Sequence, residues 1–82
     1  MGTVRYFAAA KEAAGTGEEQ VEAATLAQAL QAARERHDER FATVLGRCSF
    51  VVDGAPVGGR DHATVPLAPG SVVDVLPPFA GG

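Results

Sequence analysis

The spacing of apolar residues changes several times along this chain, and each change marks a predicted element. Stretches rich in β-branched and aromatic residues predict strands over residues 3–7, 49–53 and 71–76. The nearly unbroken apolar run in residues 71–76 is typical of a central strand that is buried on both faces. Residues 18–23 place Val21 among acidic and polar neighbours, which predicts a short second strand exposed on one side.

One segment has the spacing of an amphipathic helix. Gln28 follows Thr25 by three residues, which forms a Thr-x-x-Gln capping box and predicts that the helix begins at Thr25. Side chains suited to a buried face then recur at helical spacing over about twelve residues, at Leu26, Ala29, Leu30, Ala33 and His37. Shorter helical stretches are predicted over residues 8–14, ended by Gly15, and around residues 41–45, ended by Gly46.

The second half of the chain adds turn signals to this pattern. Asp53-Gly54 is a strong hairpin signal, and Val57 is expected in a short strand that returns from the turn. Residues 58–64 are expected to form a polar loop, and residues 65–67 an extended piece. The element order predicts an α+β fold with a single sheet. The main helix must cover one face of that sheet, because no other element is long enough.

Composition and charge exclude several classes of function. Eighty-two residues make one small domain. A net charge of −3, with Lys11 as the single lysine, argues against nucleic acid as a partner, since phosphate binding needs a basic face. No stretch approaches the roughly 18 apolar residues of a membrane span, and the first residues do not resemble a signal peptide. Because Cys48 is the only cysteine, no internal disulfide is possible, and a cytoplasmic location is expected.

Before the last six residues, the cysteine, histidine and glycine-rich positions give only weak evidence for a catalytic or ligand-binding site. Cys48 is either a persulfide acceptor or a small buried residue at a strand start, and the second interpretation is favoured because nothing near it in sequence would lower its pKa. His37 has no evident ligand partner. His62 lies beside Asp61 without a nucleophile, which is poor evidence for catalysis. Residues 58–60 (Gly-Gly-Arg) lack the Lys-Ser/Thr of a phosphate loop.

The last six residues, Pro-Pro-Phe-Ala-Gly-Gly, have the composition of a slim arm. Pro77 and Pro78 fix φ and have no N–H, so they should end strand pairing and direct the arm away from the sheet. Gly81 and Gly82 have no side chains, so a partner's channel could close on bare backbone. Phe79 is either an anchor on a partner or a ring that folds back on its own sheet. The other interpretation of the whole segment is an ordinary frayed terminus.

Three stretches carry a resemblance to a known family. Residues 4–8 (Val-Arg-Tyr-Phe-Ala) with residues 11–15 (Lys-Glu-Ala-Ala-Gly), residues 25–30 and residues 69–82 resemble the MoaD/ThiS family of ubiquitin-like sulfur carriers. The double proline before the tail is more similar to MoaD, the small subunit of molybdopterin synthase, than to the thiamine-pathway carrier. Asp53 and Ser71 depart from the family pattern, in which Asn and Asp are common at those positions.

The resemblance implies a fold and a chemistry. The fold would be a single β-grasp domain over residues 1–82, with the first and last strands parallel and central and with residues 77–82 as a flexible tail. The carboxylate of Gly82 would be adenylated and then converted to a thiocarboxylate. ATP would be consumed by a partner, an adenylating enzyme of the ubiquitin-activating type (MoeB/ThiF-like). The sulfur would serve molybdopterin synthesis together with the large subunit of molybdopterin synthase (MoaE-like).

The same resemblance assigns roles to residues. Gly82 is the reactive residue, and no other catalytic side chain, bound cofactor or metal is expected. The residues expected to contact partners are Phe7, Pro77, Pro78, Phe79, Ala80 and Gly81. Phe7 and Val57 are expected on the open face of the sheet, where relatives meet the adenylating enzyme. The alternatives are a carrier for cysteine or thiamine synthesis, a protein modifier that forms isopeptide bonds through Gly82, and a plain binding module.

Overall fold

The first and last strands of the chain lie side by side in the middle of a five-stranded sheet. The computed structural model describes residues 1–78. Its strands are β1 (Gly2–Tyr6), β2 (Glu18–Val21), β3 (Ser49–Val52), β4 (Ala55–Pro56) and β5 (Val72–Leu76). Its α-helices are α1 (Ala8–Ala14), α2 (Leu26–Arg36) and α3 (Glu39–Leu45), and a short 3-10 helix spans His62–Thr64.

The sheet is mixed, with the strand order β2-β1-β5-β3-β4. β1 and β5 are parallel, and every other neighbouring pair is antiparallel. This is the β-grasp arrangement that the resemblance implied, so the predicted fold class is confirmed. The predicted hairpin is also present, because the two-residue connection between β3 and β4 places Asp53 at φ 48° and Gly54 at φ 84°.

Alternation along the central strands divides the sheet into a core face and an open face. Val4 and Tyr6 of β1 and Val73 and Val75 of β5 are buried on the face that the helices cover. The core also includes side chains from all three α-helices, among them Ala10, Leu26, Ala29, Leu30, Ala33, Phe41 and Leu45. On the other face, no element within residues 1–78 covers the sheet.

The α2 helix begins as the capping box predicts. Thr25 Oγ1 accepts the Gln28 backbone N–H at 3.2 Å, and Gln28 Oε1 accepts the Ala24 backbone N–H at 2.8 Å. At the other end, Arg36 Nη1 bonds Glu19 Oε2 at 3.1 Å, and His37 contacts the same carboxylate. The start of the main helix is therefore closed by local side-chain caps, and its last turn is fixed to β2 by side chains.

The two shorter helices are also capped. Gly15 ends α1 in the left-handed region at φ 74°, and its N–H bonds the Lys11 carbonyl at 2.9 Å. Asp38 begins α3, because its side chain accepts the Phe41 backbone N–H at 3.1 Å. The apolar residues and Gly46 predict this helix, whereas its cap at Asp38 is visible only in the structure.

Three sequence-based predictions are wrong in detail. β5 is central but buried on one face only, because Val72 and Leu76 are half-buried on the open face. Val57 does not lie on the open face: it is 3% exposed, belongs to the core, and follows β4 with its N–H bonded to the Phe50 carbonyl. The predicted polar loop over residues 58–64 contains the 3-10 helix.

Candidate functional site

The base of the predicted tail lies at the end of the central strand β5. The register pairs Leu76, its last residue, with Ser49 of β3. Strand pairing ends directly before Pro77, as the missing N–H of proline predicts. Pro77 is half-buried and Pro78 is exposed, so the chain leaves the sheet at this point. The remaining predicted site residues, Phe79, Ala80, Gly81 and Gly82, lie outside the described residues.

The other end of β5 is fixed by a side chain in the β3–β4 turn. Asp53 Oδ1 accepts the Val72 backbone N–H at 2.8 Å. This hydrogen bond, with a smaller contribution from the Ser71 side chain, holds the pKa of Asp53 below its ordinary value of 3.8. Asp53 therefore has two roles. Its backbone forms a left-handed position of the turn, and its carboxylate bonds the first residue of β5, the strand that leads to the tail.

Phe7 lies at the same edge of the sheet as the base of the tail. It directly follows β1, and its N–H bonds the Val75 carbonyl at 3.3 Å. Its backbone is extended, so it continues the alternation of β1 and points to the open face with Arg5. Phe7 is 40% exposed. β1 and β5 are parallel and end together, which brings Phe7 close to Leu76 and Pro77.

Beside Phe7, the open face carries an ion pair that the sequence analysis did not identify. Arg5 and Asp74 are direct register partners on β1 and β5. Arg5 Nε bonds Asp74 Oδ1 at 2.7 Å, and Arg5 Nη2 bonds Oδ2 at 3.1 Å. The Arg5 guanidinium carbon also lies 5.8 Å from the centre of the Phe7 ring. In the sequence, each of the two apolar strands has one charged residue near its middle, Arg5 in β1 and Asp74 in β5. Their pairing follows only from the register between the two strands.

The remaining candidates for chemistry are occupied by structural contacts. The Cys48 thiol is half-buried and donates to the Val44 carbonyl at 3.2 Å, and burial raises its pKa, which disfavours the reactive thiolate. Asp61 accepts the Ala63 backbone N–H, while the His62 ring packs edge-on against Phe50. Within residues 1–78, no cluster of three or more His, Cys, Asp or Glu residues is arranged to hold a metal ion.

A further observation concerns lipid bilayers. No helix in the described part of the chain combines the length and the apolar character needed to cross a membrane.

Comparisons with known proteins agree with the fold and identify the family. The ThiS family profile matches residues 4–82. No curated protein sequence gives a match. Among solved structures, subunit 1 in the complex of subunits 1 and 2 of molybdopterin-converting factor from Helicobacter pylori is 27% identical, with a TM-score of 0.70 over 99% of this chain and 97% of that one.

Two further structures are similar over nearly the whole chain. A putative molybdopterin converting factor subunit 1 from Pyrococcus furiosus is 27% identical, with a TM-score of 0.78 over 95% of this chain and 97% of that one. SAMP1 from Haloferax volcanii has a TM-score of 0.81 over 99% of this chain and 98% of that one, and at 23% identity this likeness concerns the fold alone. The chain therefore belongs to the ThiS family, as a β-grasp, ubiquitin-like protein of the ThiS/MoaD sulfur-carrier type.

Proposed function

We propose that this protein carries sulfur as a thiocarboxylate on Gly82 and acts as the small subunit of molybdopterin synthase. The observation that carries the proposal is the end of β5, where a central strand runs directly into the double proline that begins the tail. The family match supports it, because the match extends through Gly82. The relatives from Helicobacter pylori and Pyrococcus furiosus, both described as molybdopterin converting factor subunit 1, favour this pathway.

The chemistry starts from a carboxylate, which is a poor electrophile. A C-terminal carboxylate is ionised at neutral pH, so it must first be activated. The Gly82 carboxylate oxygen attacks the α-phosphorus of ATP and releases pyrophosphate, which leaves an acyl-adenylate. Sulfide from a donor then attacks the acyl carbon, AMP leaves, and a thiocarboxylate remains. ATP is bound and consumed by the adenylating partner, and this chain holds no cofactor of its own.

The tail's composition suits delivery into a partner's active site. Four residues beyond Pro78 span at most about 14 Å when extended. The two prolines restrict the backbone at the base of the arm, which lowers the entropy lost on docking. Gly81 and Gly82 allow a narrow channel to enclose the arm without displacing side chains. These properties make Gly82 the reactive residue, with Pro77 through Gly81 as the partner-binding segment.

Two partners follow from this chemistry. The first is an adenylating enzyme of the MoeB/ThiF type, which contacts the open face through Phe7 and receives the tail. The second is a MoaE-like large subunit, which takes the sulfur into the dithiolene of molybdopterin. The complex of subunits 1 and 2 in Helicobacter pylori supports the second partner. We place these reactions in the cytoplasm, where ATP is available.

A transfer assay tests the pathway. The charged protein is incubated with the large subunit and a molybdopterin precursor, and in parallel with the acceptor systems for thiamine and cysteine synthesis. We expect consumption of the thiocarboxylate and dithiolene formation in the first reaction only. Transfer to a thiamine or cysteine acceptor instead would contradict the molybdopterin assignment. High-mass adducts on lysines would indicate a protein modifier.

A further inference from the structure

A row of side chains crosses the open face from one edge of the sheet to the other. The strand registers align Glu18 with Arg5, Arg5 with Asp74, Asp74 with Val51, and Val51 with Pro56. Arg5 and Asp74 alternate with the core residues of their strands, so the row belongs to the face that no helix covers. The first three members, Glu18, Arg5 and Asp74, form a charge row.

The open face is divided into two chemically different parts. Phe7 and Leu76 lie at the edge where the tail begins and give this part an apolar character. The charge row contains two carboxylates and one guanidinium, and Asp74 already holds the guanidinium through two hydrogen bonds. Glu18 is exposed, and the ion pairs within residues 1–78 do not include it. The charge row is therefore net negative, with Glu18 available to a partner.

The charge row has little to contribute to the stability of the isolated protein. The Arg5 side chain is 48% exposed and the Asp74 side chain 19% exposed. Ion pairs in such solvent-accessible positions contribute little to folding. Their effect changes in an interface, where complementary charges speed association and like charges exclude wrong partners. The bidentate geometry and the nearby Phe7 ring also fix the position of the Arg5 charge before any partner arrives.

We propose that the charge row selects the adenylating partner by charge. It fits an enzyme surface that presents arginine or lysine side chains opposite Glu18 and Asp74 and an apolar patch opposite Phe7 and Leu76. An uncharged or acidic surface is rejected, because it would leave the Glu18 carboxylate without an ion-pair partner on docking. This inference rests on the proposed function, in which an adenylating enzyme docks on the open face.

Three variants test the proposal against the adenylating enzyme encoded in the same genome. Glu18→Arg reverses one exposed charge at the edge of the row. The double variant Arg5→Asp with Asp74→Arg keeps an ion pair between the central strands but reverses its direction. Glu35→Arg is the matched control, because it makes the same charge reversal at an exposed position of α2, on the helical side of the sheet. Thermal melts verify that each variant is folded.

Binding to the adenylating enzyme, and separately to the large subunit, is measured by calorimetry at low and at physiological ionic strength, and charging of Gly82 is measured by mass spectrometry. We expect the Glu18 and double variants to bind at least about tenfold more weakly than the wild type, and the control variant to differ by less than about twofold. Wild-type affinity should fall as salt rises. Equal binding by all variants, or wild-type binding that is insensitive to salt, would overturn the charge-row proposal.

Two further outcomes separate this inference from the function on which it rests. If the wild-type protein is charged normally and the variants lose affinity only for the large subunit, then selection of the adenylating enzyme is wrong and the sulfur-carrier function stands. If the wild-type protein is never charged at Gly82, the proposed function itself fails.

Discussion

At the scale of single residues, Leu30 is the clearest test of the core. It lies on the buried face of α2 with 1% exposure. Replacing it with alanine removes buried methyl groups and leaves a cavity that neighbouring side chains fill only in part. We therefore expect Leu30→Ala to lower the free energy of unfolding by about 2–5 kcal/mol, measured by chemical denaturation. The exposed neighbour Gln31→Ala serves as the control. A loss for Leu30→Ala no larger than that of the control would contradict the burial of Leu30 in the core.

The lowered pKa of Asp53 predicts how the stability of the protein changes in acid. Its pKa is lowered in the folded protein by the Val72 N–H, so its contribution to stability is fully present above the ordinary pKa of 3.8. That contribution is lost as the pH falls from 3.8 through the lower native pKa. Asp53→Asn removes this titration while keeping a side-chain acceptor. Thermal melts between about pH 5 and pH 2 should show a smaller acid-induced loss for the variant than for the wild type. Parallel losses would contradict the role of this hydrogen bond.

Along the strands, the face on which a residue lies could be predicted only where the period of two residues continues. Phe7 extends the alternation of β1, and its exposure on the open face agrees with the sequence-based expectation. Val57 follows a strand of only two residues, so the pattern could not define its face, and a shift of one residue reverses sides. The pairing of Arg5 with Asp74 joins residues 69 positions apart, which no local pattern can specify.

At the scale of elements, the start of α2 depends on a short local motif. Thr25 caps the helix through its side chain, and its backbone also pairs with Pro66 in an isolated bridge. Thr25→Ala should lower the free energy of unfolding by about 1 kcal/mol, because one N–H at the helix start loses its acceptor. Thr43→Ala, at an exposed position within α3, is the control and should be close to neutral. Equal effects of the two substitutions would show that the cap is not important.

Elements with local signals were predictable, whereas the burial of β5 on one face only was not. The Thr-x-x-Gln motif located α2, and Asp53-Gly54 located the hairpin. For β5, the apolar run predicted burial on both faces, yet all three α-helices contribute to the core on one face only. Which face a helix covers is a property of the assembled chain. Val72 and Leu76 are therefore half-buried in residues 1–78, and they remain available to a partner.

At the scale of the whole molecule, the described residues form a body whose sheet has one face covered by helices and one open face. The core lies between the helices and the sheet, and its members run from Val4 to Val75. The open face and the base of the tail share one edge, at Phe7 and Pro77. This arrangement allows a partner to hold the sheet while it receives the segment that follows Pro78.

A substitution at Phe7 tests this arrangement. Phe7→Asp should weaken binding to the adenylating enzyme at least about tenfold, because an exposed aromatic contact is replaced by a charge. The fold should remain intact, since Phe7 is 40% exposed and lies outside the core. Ala63→Asp, in the exposed 3-10 helix, is the control. Binding by calorimetry that is unchanged in Phe7→Asp would remove this residue from the interface.

The most direct test of the sulfur-carrier proposal is the intact mass of the protein after incubation with an adenylating enzyme, ATP and a sulfur source. We expect one oxygen to be replaced by sulfur, and fragmentation should locate the sulfur at Gly82. A variant that lacks Gly82 should not be charged, although its free energy of unfolding should differ from that of the wild type by less than about 0.5 kcal/mol. An unchanged mass for the wild type with every adenylating enzyme of the same genome would contradict the proposal.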